Sequence, residues 1–381
     1  MNFKRIISIA FAATLAVSAI AQSGTPAYKD RNLKPEQRAA DLIGRLTLEE
    51  KASLMQHHAA AVERLDINKY NWWSEALHGV ARNGSATVYP QPIGMASSFD
   101  KYLLKEIFTA VSDEARVKNR IAAAAGEGVN IYEGVTFWTP NINIYRDPRW
   151  GRGMETYGED PYLTGQLGME VVRGLQGEIT DGILKTHACA KHYAVHSGPE
   201  STRHSYDARV SERDLRETYL PAFKDLVTKA GVMEVMTAYN SFNGEPCAAS
   251  GRLVQEILRG EWGYKGLVVS DCWAINDFYQ KGHHEWVQTP AEAAAAAVKN
   301  GMDVECGEVF THIPEAVALG LLTEAVVGVT ALHEPLSIFF IKRLALGLDI
   351  RRDGAALIRA FIVVETALGH GLVDDVHRAL N

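Results

Sequence analysis

What this chain has little of narrows its reading first. Its four cysteines, Cys189, Cys247, Cys272 and Cys306, share no CxxC spacing, which argues against the common zinc modules. Histidines 57, 58, 283 and 284 come as adjacent pairs. Two ligands on one helix face would stand four apart, so no metal site is expected. There is no low-complexity segment and no internal repeat. Positive charge is in deficit, 39 Lys and Arg against 46 Asp and Glu, a formal net charge of −7. That argues against nucleic acid or an anionic membrane as the main partner.

The amino terminus is a separate feature. Lys4 and Arg5 precede an apolar run from Ile6 to Ile20, and Ala19-Ile20-Ala21 offers small residues spaced for cleavage. Residues 1–21 therefore read as a secretory signal, too short for a spanning helix. No cysteine follows Ala21, so no lipid anchor is expected there. A periplasmic or secreted location follows, with no membrane association after cleavage. Export permits disulfides, but Cys189 and Cys272 fall in apparent buried strands, so the cysteines are expected as small core residues. Hydrophobic residues make up 47% and charged residues 22%, ample for a core.

Helix and strand patterns then alternate. Thr47–Glu50 and Ser211–Asp214 read as capping boxes opening helices, and Thr289-Pro290-Ala291-Glu292 adds proline at the first helical position. Between helices lie apolar runs of strand length at Thr136–Ile144, Ile183–His192, Gly231–Tyr239, Gly266–Ser270 and Gly301–Val304. Strands alternating with helices predict an α/β fold, a (β/α)8 TIM-like barrel over residues 22–325. Residues 326–381 keep apolar clusters without clean caps or alternation, an irregular tail with no assigned element.

Several strand ends carry polar groups, and barrels of parallel strands keep their chemistry at those ends. Leu267-Val268-Val269 reads as a strand buried on both faces and runs into Ser270-Asp271, with Trp273 two residues on. Asp271 suits a nucleophile, a base or a metal ligand, and equally a helix N-cap. Asn141–Arg152 alternates into a strand that Asp147-Pro148 breaks, leaving a loop with three arginines and Trp150. Such a loop either binds hydroxyls or braces itself through Arg–Asp pairs. Lys191-His192 ends a run as apolar as Ala188-Cys189-Ala190, where unmet polar groups are costly. Tyr239-Asn240 ends another, with Met236 just inside it.

Lys191-His192, Ala238-Tyr239-Asn240 and Val269-Ser270-Asp271, in that order, resemble glycoside hydrolase family 3, as does the long stretch Arg149–Tyr162. The resemblance covers residues 30–325, that family's N-terminal barrel. It implies a retaining exo-β-glycosidase releasing non-reducing-end sugars through a glycosyl-enzyme intermediate, without a cofactor. Asp271 resembles the nucleophile. Arg152, Lys191 and His192 resemble the residues that hold the terminal sugar's hydroxyls, Tyr239 the tyrosine beside the nucleophile, and Trp273 an aromatic wall. Arg203 and Met236 complete the substrate-binding candidates. Lys, Arg and Tyr donors around Asp271 are expected to keep it ionised.

Trp72-Trp73-Ser74-Glu75-Ala76-Leu77-His78-Gly79 resembles the β-xylosidase branch, where glucosidase-like relatives carry Asp-Gly-Pro-Leu-Gly. Glu75 and its bulky neighbours would fill the space a hexose hydroxymethyl needs, so a xylan 1,4-β-xylosidase acting on small oligosaccharides or β-glycosides is expected, with β-glucosidase as the alternative. In two-domain members resembling this chain the acid/base is a glutamate of a second α/β domain, which residues 326–381 do not resemble. A truncated or frame-shifted chain is the expectation, with little activity alone. Two further alternatives stand beside it. One is a single-domain β-N-acetylhexosaminidase using His196 or His204, oriented by Asp207 or Glu200, although the Pro-Gly-His-Gly and Asp-Ser-His forms are absent. The other is a non-catalytic sugar-binding fragment.

Overall fold

The computed structural model describes residues 25–126, 128–178 and 183–332. The signal segment and positions 333–381 of the tail lie outside them. We number the strands of the central ring β1 (His58–Ala59), β2 (Tyr70–Asn71), β3 (Thr136–Phe137), β4 (His187–Tyr193), β5 (Glu234–Thr237) and β6 (Leu267–Ser270). β3, β4, β5 and β6 form one parallel sheet in that order.

Backbone bonds close the sheet into a ring. Val304 bridges Val269 in parallel, and Glu305 bridges Gln56. Trp72 N–H donates to His57 O (2.7 Å), and Trp138 N–H donates to Ser74 O (2.9 Å). Among the described residues the ring has seven runs, with β2 antiparallel to β1. This is the α/β, TIM-like architecture the alternation predicts. The predicted strands are longer than the observed ones. Thr139-Pro140 ends regular pairing after Phe137, while Asn141 still bridges Lys191.

The strands are buried on both faces, so the core divides in two. Val235, Val268, Ala188 and Ala190 pack outward beneath the helices. Met236, Leu267, Val269 and Cys189 point into the ring with Trp72 and Trp138. The outer shell is held by Lys101–Ala124, Pro161–Gln176, Pro221–Thr228 and Pro290–Lys299; all but Pro221–Thr228 have side-chain N-caps. Asp100 accepts from the Tyr102 and Leu103 amides (both 3.0 Å), and Asp160 from Leu163 (2.6 Å). Thr47 and Thr289 make reciprocal capping boxes with Glu50 and Glu292. Ser211 also caps, but its helix runs only to Asp214 before a π turn over Leu215–Tyr219.

Two expectations change. Cys272 and Cys306 form a disulfide (Cα–Cα 4.3 Å), whereas Cys189 and Cys247 are buried and free. Cys272 is not in the strand: β6 ends at Ser270, and the chain turns so that Trp273 N–H donates to Cys306 O (2.6 Å). The start of the tail has an element after all, a helix over Glu324–Leu332 that crosses the expected boundary at 325. It docks through buried Val327 and a Glu324–Lys51 ion pair (3.0 Å). Among the described residues no helix is long and apolar enough to cross a membrane.

Candidate active site

The polar strand ends converge at one mouth of the ring. β6 delivers Asp271, which is 6% exposed. The Cys272 amide donates to Asp271 Oδ1 (2.8 Å), which aims Oδ2 into the site, where it has no hydrogen-bond partner among the described residues. Arg152 Nη1 stands 3.8 Å from that oxygen and His192 Nε2 3.4 Å. Arg152 is clamped by a fork on Glu155 (Nε–Oε1 and Nη2–Oε2, both 2.8 Å). Lys191 Nζ, also buried, donates to Glu75 Oε2 (3.1 Å), while Trp73 Nε1 donates to Glu75 Oε1 (3.1 Å).

Asn143 fixes the imidazole of His192. Its Oδ1 accepts from His192 N (2.7 Å) and lies 3.0 Å from Nδ1, and its Nδ2 donates to His192 O (2.8 Å). Nδ1 therefore carries the proton and Nε2 a lone pair. Burial first, then the Arg152 charge, drive the imidazole's pKa well down, so it is neutral. The fold therefore makes the inner nitrogen of His192 a hydrogen-bond acceptor. Two acceptors, Nε2 and Asp271 Oδ2, thus face one point without a donor between them.

Charges compete over Asp271. Burial pushes its pKa up, and Arg152 and Lys191 pull it down without cancelling the burial. The expectation of a carboxylate held ionised by its neighbours omits this desolvation. For Arg152, burial opposes the charge, but Glu155 and the Asp271 charge outweigh it and raise the pKa. Burial likewise opposes ionisation of Glu155, and Arg152 overcomes it. Tyr239, at the end of β5, is kept protonated by burial and then by the Asp271 charge.

Aromatic rings line two sides. Trp73 stacks on Trp138 (5.5 Å, 26°) and meets Trp273 edge-on (6.1 Å). Trp273 is 49% exposed with φ 61°, a left-handed conformation rare for a bulky residue. Opposite, Trp150 meets His196 edge-on (5.4 Å), and His196 meets His192 (5.0 Å). Arg203 lies over the Tyr239 ring (5.8 Å) and pairs with Glu200.

Of the sequence candidates, Arg152 and His192 meet Asp271 and Lys191 meets Glu75, while Arg203 lies on Tyr239 and Trp273 meets Trp73. Met236 lies in the ring interior, 1% exposed and level with Lys191, so it is packing beside the site. The alternative proton donors are differently placed. His196 is buried, its pKa driven by burial and the Arg152 charge to about 3, so near neutrality it is a neutral imidazole and not the imidazolium a general acid needs. His204 is oriented by Asp277 (2.9 Å), not by Asp207 or Glu200, which hold Arg209 and Arg203. The fork on Glu155, the anchor on Asn143 and the partnership of Asp277 were not singled out from sequence. The Arg-x-x-Glu spacing is a signal for the first; the other two depend on contacts distant in sequence.

The model named Glycosyl hydrolase family 3 N terminal domain matches residues 20–331. "Xylan 1,4-beta-xylosidase" of Xylanibacter ruminicola is 50% identical over 329 residues, 85% of this chain and 37% of the relative. "Beta-D-xylosidase 1" of Arabidopsis thaliana is 42% identical over 309 residues, 77% of this chain and 38% of the relative. This chain therefore spans under two fifths of either relative. Among solved structures, a GH3 exo-beta-xylosidase in complex with a xylobiose aziridine activity based probe superposes with TM-score 0.79 at 31% identity, covering 89% of this chain and 45% of that one. A β-glucosidase from Erythrobacter marinus superposes with TM-score 0.70 at 26% identity, covering 88% and 49%.

Proposed function

Since the chain belongs to glycosyl hydrolase family 3, we propose that its ring mouth binds the non-reducing-end sugar of a β-xyloside and that Asp271 attacks the anomeric carbon. The observation that carries the reading is the pair of converging acceptors, Asp271 Oδ2 and His192 Nε2, 3.4 Å apart and without a donor. A sugar hydroxyl supplies the missing proton to one of them. Arg152, locked by Glu155, and Lys191, locked by Glu75, present charged donors to neighbouring hydroxyls without rotamer freedom to lose. As the oxocarbenium-like transition state develops, the ionised Asp271 is matched by positive charge on the sugar.

Xylose over glucose rests on Glu75, which Trp73 and Lys191 hold at both oxygens. The names of the relatives that match over most of this chain point the same way. Export to a periplasm or the medium is part of the proposal; it rests on residues 1–21 and on a disulfide suited to an oxidising compartment.

Aryl β-xyloside and β-glucoside with the purified chain, beside Asp271→Ala, test the activity. Xyloside turnover lost in Asp271→Ala supports the reading. If neither glycoside is turned over, mass spectrometry after an activated 2-fluoro-xyloside decides: a label on Asp271 keeps the nucleophile, and an unlabelled chain sinks it.

A further inference from the structure

Beside the pocket the fold assembles a cluster that the glycosidase reading does not use. Asp277 lies in the turn Asn276–Phe278 and is 2% exposed. Each of its carboxylate oxygens meets a different imidazole: Oδ1 meets His283 Nδ1 at 2.5 Å and Oδ2 meets His204 Nδ1 at 2.9 Å. One donor atom from each residue falls within 4.8 Å of the other two. The two rings tilt 38° with centroids 5.4 Å apart, so neither stacks on the other and both Nδ1 atoms face inward. His204 arrives from the loop after β4, Asp277 and His283 from the loop after β6.

We propose that His204, Asp277 and His283 form a site for a divalent transition-metal cation such as zinc, joining these two loops at the edge of the pocket. Two imidazoles and a carboxylate suit zinc and its neighbours and poorly suit magnesium or calcium, which prefer all-oxygen shells. Zinc bonds of about 2.0–2.1 Å put tetrahedral ligands roughly 3.3 Å apart, so shifts of under about 1 Å convert the hydrogen bonds into ligation. The half-exposed His204 ring provides the entry path. Binding exchanges the protons shared with Asp277 for the cation. It also stiffens the wall carrying Tyr239, whose ring His204 touches edge-on at 4.6 Å and whose carbonyl lies 2.8 Å from His284 Nε2.

The test uses the full chain stripped with a chelator. Zinc is titrated calorimetrically, and cobalt(II) is followed by its visible absorption, for wild type, His283→Ala and Asp277→Asn. One zinc per chain is expected, with a rise in melting temperature, a tetrahedral cobalt spectrum, and affinity at least about tenfold lower in either variant. Magnesium at the same concentration should give none of these. Binding equal in wild type and His283→Ala, or no zinc binding by wild type up to about 100 μM, overturns the site. Melting without metal identifies a misfolded variant. Should Asp277→Asn misfold, the partly exposed His283→Ala decides alone.

Discussion

A buried carboxylate that lacks a hydrogen bond on one oxygen is a cost that folding bears for function. Burial raises the pKa of Asp271, so ionising it costs more in the folded protein than in the unfolded chain. A group whose folded pKa lies above its unfolded value contributes stability below the unfolded value and loses it as pH rises through the folded one. Near pH 7 the ionised Asp271 therefore destabilises, and Asp271→Asn should raise the melting temperature by about 2 °C while abolishing turnover. A scan at pH 7 checks this, and a fall in melting temperature would contradict it. Removing Glu75 acts the other way. Glu75→Ala strands the ammonium of Lys191 at 3% side-chain exposure and should cost about 3 kcal/mol in denaturant unfolding. Trp273 holds its left-handed backbone against its own side chain, so Trp273→Gly should leave the melting temperature within about 2 °C yet raise KM several-fold. An unchanged KM would remove Trp273 from the sugar's wall.

Elements place these groups, and here the text of the chain was only partly sufficient. Capping residues such as Thr47 and Thr289 marked helix starts because a cap is a local hydrogen bond. The strand ends were visible because Asp271, Lys191-His192 and Tyr239 interrupt apolar runs. What escaped was non-local. Asn143 holds His192 across 49 positions, Asp277 holds His204 across 73, and the disulfide spans 34. None of these has a period or a spacing rule. The helix at Glu324–Leu332 escaped for another reason: its residues are apolar nearly all round, so no amphipathic stripe announces it. At this scale the disulfide is testable. Cys306→Ser frees the loop after β6 from the next run of the ring and should cost about 3 kcal/mol of stability, read as a lower denaturant midpoint. An unchanged midpoint would mean that backbone bonds such as Trp273 N to Cys306 O suffice.

For the whole molecule, a closed ring of short runs concentrates every catalytic candidate at one mouth and leaves the outer helices to supply stability. The split core expresses this division: Val235 and Val268 serve the shell, Met236 and Val269 fill the interior. Conservative changes in the outer layer, such as Val268→Ala, should therefore lower stability by about 2 kcal/mol and leave kcat/KM within about twofold. Fluorescence unfolding and xyloside kinetics on one preparation separate the two effects. Joint loss would show that the mouth is coupled to the shell.

The disulfide also bears on how the protein is made. Cys272 is the residue next to Asp271, and its amide aims the carboxylate. Material produced in a reducing cytoplasm and material folded in an oxidising compartment would share a sequence yet differ in how firmly that amide is held. Specific activities from different production hosts are then comparable only after the thiols have been counted.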